Sequence, residues 1–193
     1  MLLRSLLVLC ALAGAAPAAE PAFDVEAVDR IATDALKRWH VPGLALVIVR
    51  DDRVVLVKGY GTKSAGTEAP VSADTLFPLA SCTKAFTTAA LATLVDDGKL
   101  AWDDPVRKHL PTFRLSEPAA DQLVSLRDLV THRTGLAGHD LLWYRAPWPL
   151  SESIKRARSL PLSGPFRGSY HYSSLMFAAA GTAAANRAGV PWD

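Results

Sequence analysis

The stretch LFPLASCTKAFTTAALATLVDDGKLAWDDPVRKHLP, residues 76–111, decides the fold. Ala85, Phe86, Ala89, Ala90, Leu94 and Val95 recur at helical spacing, so a helix is predicted from Thr83 to Asp97, with Gly98 as its stop. Ser81 falls at the N-terminal edge of that helix and Lys84 lies three residues on, which puts the two side chains on one face. The positive end of the helix dipole adds a favourable bias beside the serine. A serine hydroxyl is a poor nucleophile at neutral pH and needs a base within hydrogen-bond reach, plus donors for the developing oxyanion. Ser81 and Lys84 meet the first requirement if Lys84 is neutral or shares a proton relay; burial against Phe86 and its neighbours is expected to lower its pKa. Chance alone yields a Ser-x-x-Lys spacing about once in every two chains of this composition, so the motif depends on its surroundings.

Upstream, Phe23 to Trp39 carries Val25, Val28, Ile31, Ala32, Ala35 and Leu36 at helical spacing, with Asp24 as cap and Pro42-Gly43 as terminator. Leu44–Val49 and Val54–Val57, separated by Asp51-Asp52, read as an antiparallel hairpin that needs further strands for stability. Gly59, Gly61 and Gly66 read as a loop after the second strand: position 64 is Ser where a dinucleotide fingerprint needs its third Gly, and no helix opens there. Downstream come a polar, proline-punctuated stretch and a short helix from Ser125 to Thr131. A long loop follows, then a helix from about Glu152 to Arg158 and an alanine-dense helix from Ser173 to Ala188. Two strands followed by helices indicate an α+β fold.

Three segments carry a family resemblance. Leu76–Pro111 resembles the nucleophile helix and following segment of class C β-lactamases, related esterases and DD-peptidases. LVTHRTGL at Leu129–Leu136 is similar to that family's LLTHTSGL, and FRGSYHYSSLMFAAAG at Phe166–Gly181 to its F-x-Y-S-N pattern. The resemblance implies a β-lactamase/DD-peptidase-like antiparallel sheet packed by helices, plus an all-helical lobe. The domain then spans residues 20–193, with the hairpin and first helix in 20–75 and the nucleophile helix and helical lobe in 76–193.

The same resemblance makes Ser81 the nucleophile, with Tyr172 and Lys84 managing its proton and no cofactor required. Tyr170, two residues earlier, is the competing tyrosine, and the alignment with Ser173 and Ser174 favours Tyr172. Ser174 stands where most relatives have an Asn that contacts substrate and lysine, and its shorter hydroxyl predicts a shifted preference. The family's K-T-G or H-T-G strand, which donates one oxyanion N–H, occurs nowhere after Tyr172. The expectation is a chain lacking the C-terminal strands, and a fragment of a longer protein or unstable alone. The implied reaction is acyl-enzyme formation on a β-lactam, a D-amino-acyl peptide or an ester; motifs shared by the whole family do not choose among them. A truncated, non-catalytic relative that binds cell-wall peptide or a protein partner is the alternative.

Bland readings compete for the remaining residues. Cys82 reads as a packed thiol. His132, His139 and Asp140 lack the H-E-x-x-H and G-x-S-x-G contexts of a metal site or triad, so His132 reads as making a structural hydrogen bond in its turn. Trp143, Tyr144 and Trp148 fit equally an aromatic wall over substrate or packing of the helical lobe.

Composition sets the outer limits. Half of the 193 residues are hydrophobic, about a fifth are charged, and the net charge is +2 without a basic block. That balance disfavours a nucleic-acid groove or an anionic-membrane patch and points to a small-molecule or peptidoglycan-like peptide substrate. Arg4, the apolar run Leu6–Ala13 and Ala16-Pro17-Ala18 read as an export signal over residues 1–19, placing the mature protein in the periplasm or outside the cell. Leu9 before Cys10 is too bulky for a lipoprotein signal. Without the leader Cys82 is the only cysteine, so no internal disulfide forms, and no later stretch is apolar enough to span a bilayer.

Overall fold

The computed structural model describes residues 23–192; the leader read at residues 1–19 lies outside them. The described residues form two compact units, divided between Phe77 and Pro78.

In the first unit, helix α1 (Val25–Trp39) starts where Asp24 accepts the Ala27 N–H at 2.9 Å, and it ends at His40 in the left-handed conformation. Strands β1 (Gly43–Arg50) and β2 (Arg53–Gly61) pair antiparallel. Asp51 and Asp52, at φ 49° and 57°, make the two-residue turn whose twist matches the strands. Lys58 and Tyr60 on β2 both reach Asp29 on α1, at 2.8 Å and 2.7 Å, and fasten the helix to the hairpin.

The glycine segment departs from the loop expected of it. Gly59 and Gly61 belong to β2, because residues 70–72 pass so close that a Cβ on Gly59 would overlap the Val71 carbonyl. Gly61 itself sits at φ 71° against the Pro42 carbonyl. A missing side chain here marks close backbone approach rather than a strand end.

The second unit is helical: α2 (Thr83–Asp96), α3 (Val106–His109), α4 (Pro118–Leu123), α5 (Leu126–Val130), α6 (Leu150–Arg156) and α7 (Ser174–Ala188). Helix α7 is its axis and packs against α2, α3, α5 and α6. Leu175, Met176, Ala179, Ala180 and Ala183 on α7 are fully buried, with Leu91, Phe113, Leu126, Leu129 and Ile154 in the same core. Alanine at these positions lets neighbouring helices approach closely while contributing no side-chain entropy cost. Helices α3 and α4 lie in the stretch read as polar and proline-punctuated: Pro105 and Pro118 begin short helices there, and Glu117 caps α4 by accepting from Ala119 and Ala120.

On α2 the buried positions are Thr87 and Leu91, whereas Phe86, one of the apolar positions of the helical pattern, is 64% exposed. Helix α6 begins at Leu150 and continues into a 3-10 turn at Ala157–Ser159. No helix among the described residues is long and apolar enough to cross a membrane.

Candidate active site

Ser81 lies in a 3-10 turn, Ala80–Cys82, that runs directly into α2. The residue before it, Ala80, has φ 47°, a left-handed conformation that is uncommon outside glycine and asparagine. Such a backbone persists only where its surroundings over-determine it, and it turns the Ser81 hydroxyl outward at the head of the helix. The Cys82 N–H donates to the Leu79 carbonyl at 3.0 Å and the Thr83 N–H to the carbonyls of Ala80 and Ser81, which ties the turn rigidly to the start of α2. Lys84 follows one turn later, its Nζ 3.3 Å from Ser81 Oγ.

Tyr172 arrives from the other side of the unit, ninety-one positions away in sequence. The chain leading to it runs beside residues 132–135. Ser163 donates its N–H to the Gly135 carbonyl, Arg167 to that of Arg133, and His171 to that of His132, at 2.8, 2.8 and 2.9 Å. Arg167 is also clamped side-on: its guanidinium donates to both carboxylate oxygens of buried Asp128, at 2.8 and 2.7 Å. Asp128 closes the capping box of α5 with Ser125, so helix cap and clamp share one carboxylate.

At the end of this track Tyr172 Oη stands 2.5 Å from Ser81 Oγ. Lys84 Nζ lies 4.8 Å from the centre of the Tyr172 ring and donates to Ser174 Oγ at 3.3 Å. Lys84 beside the phenol, and then the Ser81 hydroxyl, hold Tyr172 below the usual tyrosine range and outweigh the opposing effect of burial.

Ser81, Lys84, Tyr172 and Ser174, all singled out in the sequence, therefore converge on one face of the second unit. Tyr170 does not join them; it is two-thirds exposed and meets the His132 ring edge-on at 5.2 Å. The rings that Lys84 faces are Tyr172 and Phe177, at 4.8 and 5.6 Å, rather than Phe86. Cys82 is exposed, contrary to the packing role expected of it, because the 3-10 turn directs it to solvent. His132 does make a structural hydrogen bond, but with Ser173 rather than within its own turn: Nδ1 accepts the Ser173 N–H at 3.1 Å. Trp148 donates to the Leu142 carbonyl and to Ser153 Oγ and packs the lobe, and Trp143 donates to Asp140 at 3.2 Å.

Sequence reasoning did not find the Asp128–Arg167 clamp. No motif joins two residues 39 apart; the only signal was a capping pattern at Ser125-x-x-Asp128, which explains the helix start and says nothing of Arg167.

Comparison with known proteins agrees with this geometry. A family model described as "Beta-lactamase" matches residues 28–193. Over 151 residues the chain is 37% identical to the unguisins hydrolase ungD' of Aspergillus campestris (strain IBT 28561), covering 74% of this chain and 28% of that protein. The D-amino acid amidase of Ochrobactrum anthropi SV3, complexed with L-phenylalanine, superposes with a TM-score of 0.72 at 26% identity, over 86% of this chain and 46% of the amidase. The D-alanine carboxypeptidase AmpC of Burkholderia cenocepacia gives a TM-score of 0.70 at 25% identity, over 86% of this chain and 44% of that one. The chain thus spans under a third of the curated relative and under half of the two solved structures.

Proposed function

The chain belongs to the beta-lactamase family, and from that premise we propose that it is a serine hydrolase that forms an acyl-enzyme on Ser81. The observation that carries the reading is the 2.5 Å contact between Ser81 Oγ and Tyr172 Oη, with Lys84 Nζ 3.3 Å from the same oxygen. In this mechanism the Tyr172 phenolate, stabilised by Lys84, takes the Ser81 proton as Oγ attacks an acyl carbon. The C–N or C–O bond to the leaving group breaks, and the proton passes from Tyr172 to the departing nitrogen or oxygen. Water then adds to the ester on Ser81, the acid is released, and the serine recovers its proton.

The substrate class is a small amide, peptide or ester, D-amino-acyl compounds and β-lactams included. The amidase and carboxypeptidase among the structural neighbours support it. Ser174, which takes a hydrogen bond from Lys84, is the residue proposed to touch substrate beside the nucleophile. The leader read at residues 1–19 supports export of the protein.

The test is covalent labelling of the full chain with a fluorophosphonate or fluorescent penicillin, followed by peptide mapping. The adduct is expected on Ser81 and lost in Ser81→Ala. Equal labelling of that variant would sink the assignment, and a wild-type chain that binds a D-amino-acyl peptide without ever forming an adduct would favour the non-catalytic alternative.

A further inference from the structure

Beyond its structural bond to Ser173, His132 has no part in the chemistry assigned above, yet it is buried beside Tyr172. Its ring centre lies 4.6 Å from that of Tyr172 and 5.0 Å from that of Phe177 on α7. Its Nδ1 accepts the Ser173 N–H, and its carbonyl accepts the His171 N–H, so the two residues flanking Tyr172 both end on His132. The Ser173 hydroxyl is buried without a partner and contributes nothing to this hold; the backbone N–H alone carries it.

We propose that His132 is a positioning residue for Tyr172: with Nδ1 as acceptor and its ring as backstop, it holds the phenol where it meets Ser81 and Lys84. The proposal rests on the reading of Ser81 as nucleophile for its functional consequence, though not for the hold itself.

The hold requires one protonation state. An imidazolium carries a proton on both nitrogens and cannot accept from Ser173. The titratable groups facing the ring are Lys84 from α2 and Tyr170 and Tyr172 from the segment before α7; Phe177 closes the remaining side. Burial first, and then the charge of Lys84, push the imidazole below the ordinary histidine value and so keep Nδ1 free to accept. Residue 132 sits at φ 59°, a left-handed conformation in which histidine, like asparagine, is several-fold enriched among non-glycine residues.

The experiment compares three substitutions in the full chain and reads two quantities. One is the rate at which a fluorophosphonate labels Ser81, and the other is the titration of the Tyr172 phenol followed by isotope-labelled NMR. His132→Ala is expected to slow labelling by about 100-fold, the scale of a misplaced reacting group, and to raise the Tyr172 titration toward that of an ordinary tyrosine. His132→Asn tolerates the same backbone and offers an oxygen where Nδ1 stood, so it is expected to restore most of both. His132→Gln places its acceptor further out and is expected to behave as the alanine variant does.

A folded alanine variant with wild-type labelling and an unmoved Tyr172 titration overturns the proposal. If that variant does not fold, equal behaviour of the Asn and Gln variants overturns it instead. The wild-type ring supplies a check that needs no variant: the neutral imidazole is expected to carry its proton on Nε2, and a proton on Nδ1 at neutral pH refutes the hold. If the wild-type chain is never labelled, the nucleophile reading fails by itself, and the Tyr172 titration still decides the role of His132.

Discussion

At the scale of single residues, the proposed mechanism has Lys84 and Tyr172 divide the work that a lone general base would do. A hydrogen bond from Lys84 is the first cause of the lowered Tyr172 pKa, so Lys84 makes the phenolate available at lower pH. Replacing Lys84 by Met removes that cause and the hydrogen bond to Ser81. The Tyr172 pKa then rises, and the ascending limb of the pH profile for Ser81 labelling is expected to move to higher pH. At neutral pH the rate should fall by about 100- to 1,000-fold, within the range for losing a positioned proton-transfer group. Labelling rates across pH 6–10 (about the range in which a tyrosine with a lowered pKa titrates) check this; a limb that stays in place would show that Tyr172 is not the titrating base. Ser174 has a smaller expected influence, because it takes a 3.3 Å hydrogen bond from Lys84 and is the weakest of the groups that lower Tyr172.

At the scale of elements, carboxylates tie together short helices that could not stand alone. Asp104 is the clearest case. It accepts the Ala101 N–H at 3.0 Å, Lys108 Nζ at 2.7 Å and His109 Nε2 at 2.8 Å, which fixes the turn leading into the four-residue helix α3. Desolvation pushes its pKa up, but the bonds from Lys108, His109 and Ala101 outweigh it and lower the value from the ordinary 3.8 to about 2. A carboxylate with a depressed folded pKa stabilises the fold fully above its unfolded value, and that contribution is lost as pH falls from about 4 to about 2. The side chain is only 13% exposed, and the shift corresponds to about 2 kcal/mol. Urea unfolding at pH 5 and at pH 2 (endpoints chosen to lie about either side of the shift) is expected to show this loss in wild type and not in Asp104→Asn. Equal pH sensitivity of the two proteins would assign the acid lability elsewhere.

These small elements also mark where sequence reading stopped. The long periodic helices α1, α2 and α7 were legible within a residue or two at their ends, because a fifteen-residue pattern such as α1 carries its own signal. Helices α3 and α4 have four and six residues and are held by contacts remote in sequence, so no local pattern announces them. The same limit applied at the site: Ser81, Lys84, Tyr172 and Ser174 were legible through motif resemblance, whereas the His132–Ser173 and Asp128–Arg167 contacts are tertiary and left no trace in spacing.

At the scale of the whole molecule, the two units differ in how much apolar surface they bury, and this sets their expected local stabilities. The second unit centres on α7, where nine of fifteen residues are buried. Among the described residues of the first unit the buried hydrophobic ones are Ala32, Tyr60 and Val71, while Val47, Val49, Val54 and Val57 of the hairpin are each half or more exposed. Burying an apolar side chain stabilises by about 2 kcal/mol, and a two-stranded hairpin is marginal on its own. Local opening free energies range from near zero up to that of global unfolding, following the density of buried contacts. Amide hydrogen exchange in the full chain is therefore expected to be slowest from Met176 to Ala185 and at least on the order of 100-fold faster from Val54 to Lys58. Residue-resolved exchange measures both at once. Hairpin amides as protected as those of α7 would mean that the exposed valines find a partner in solution, and the difference in burial would then no longer set the order in which the chain opens.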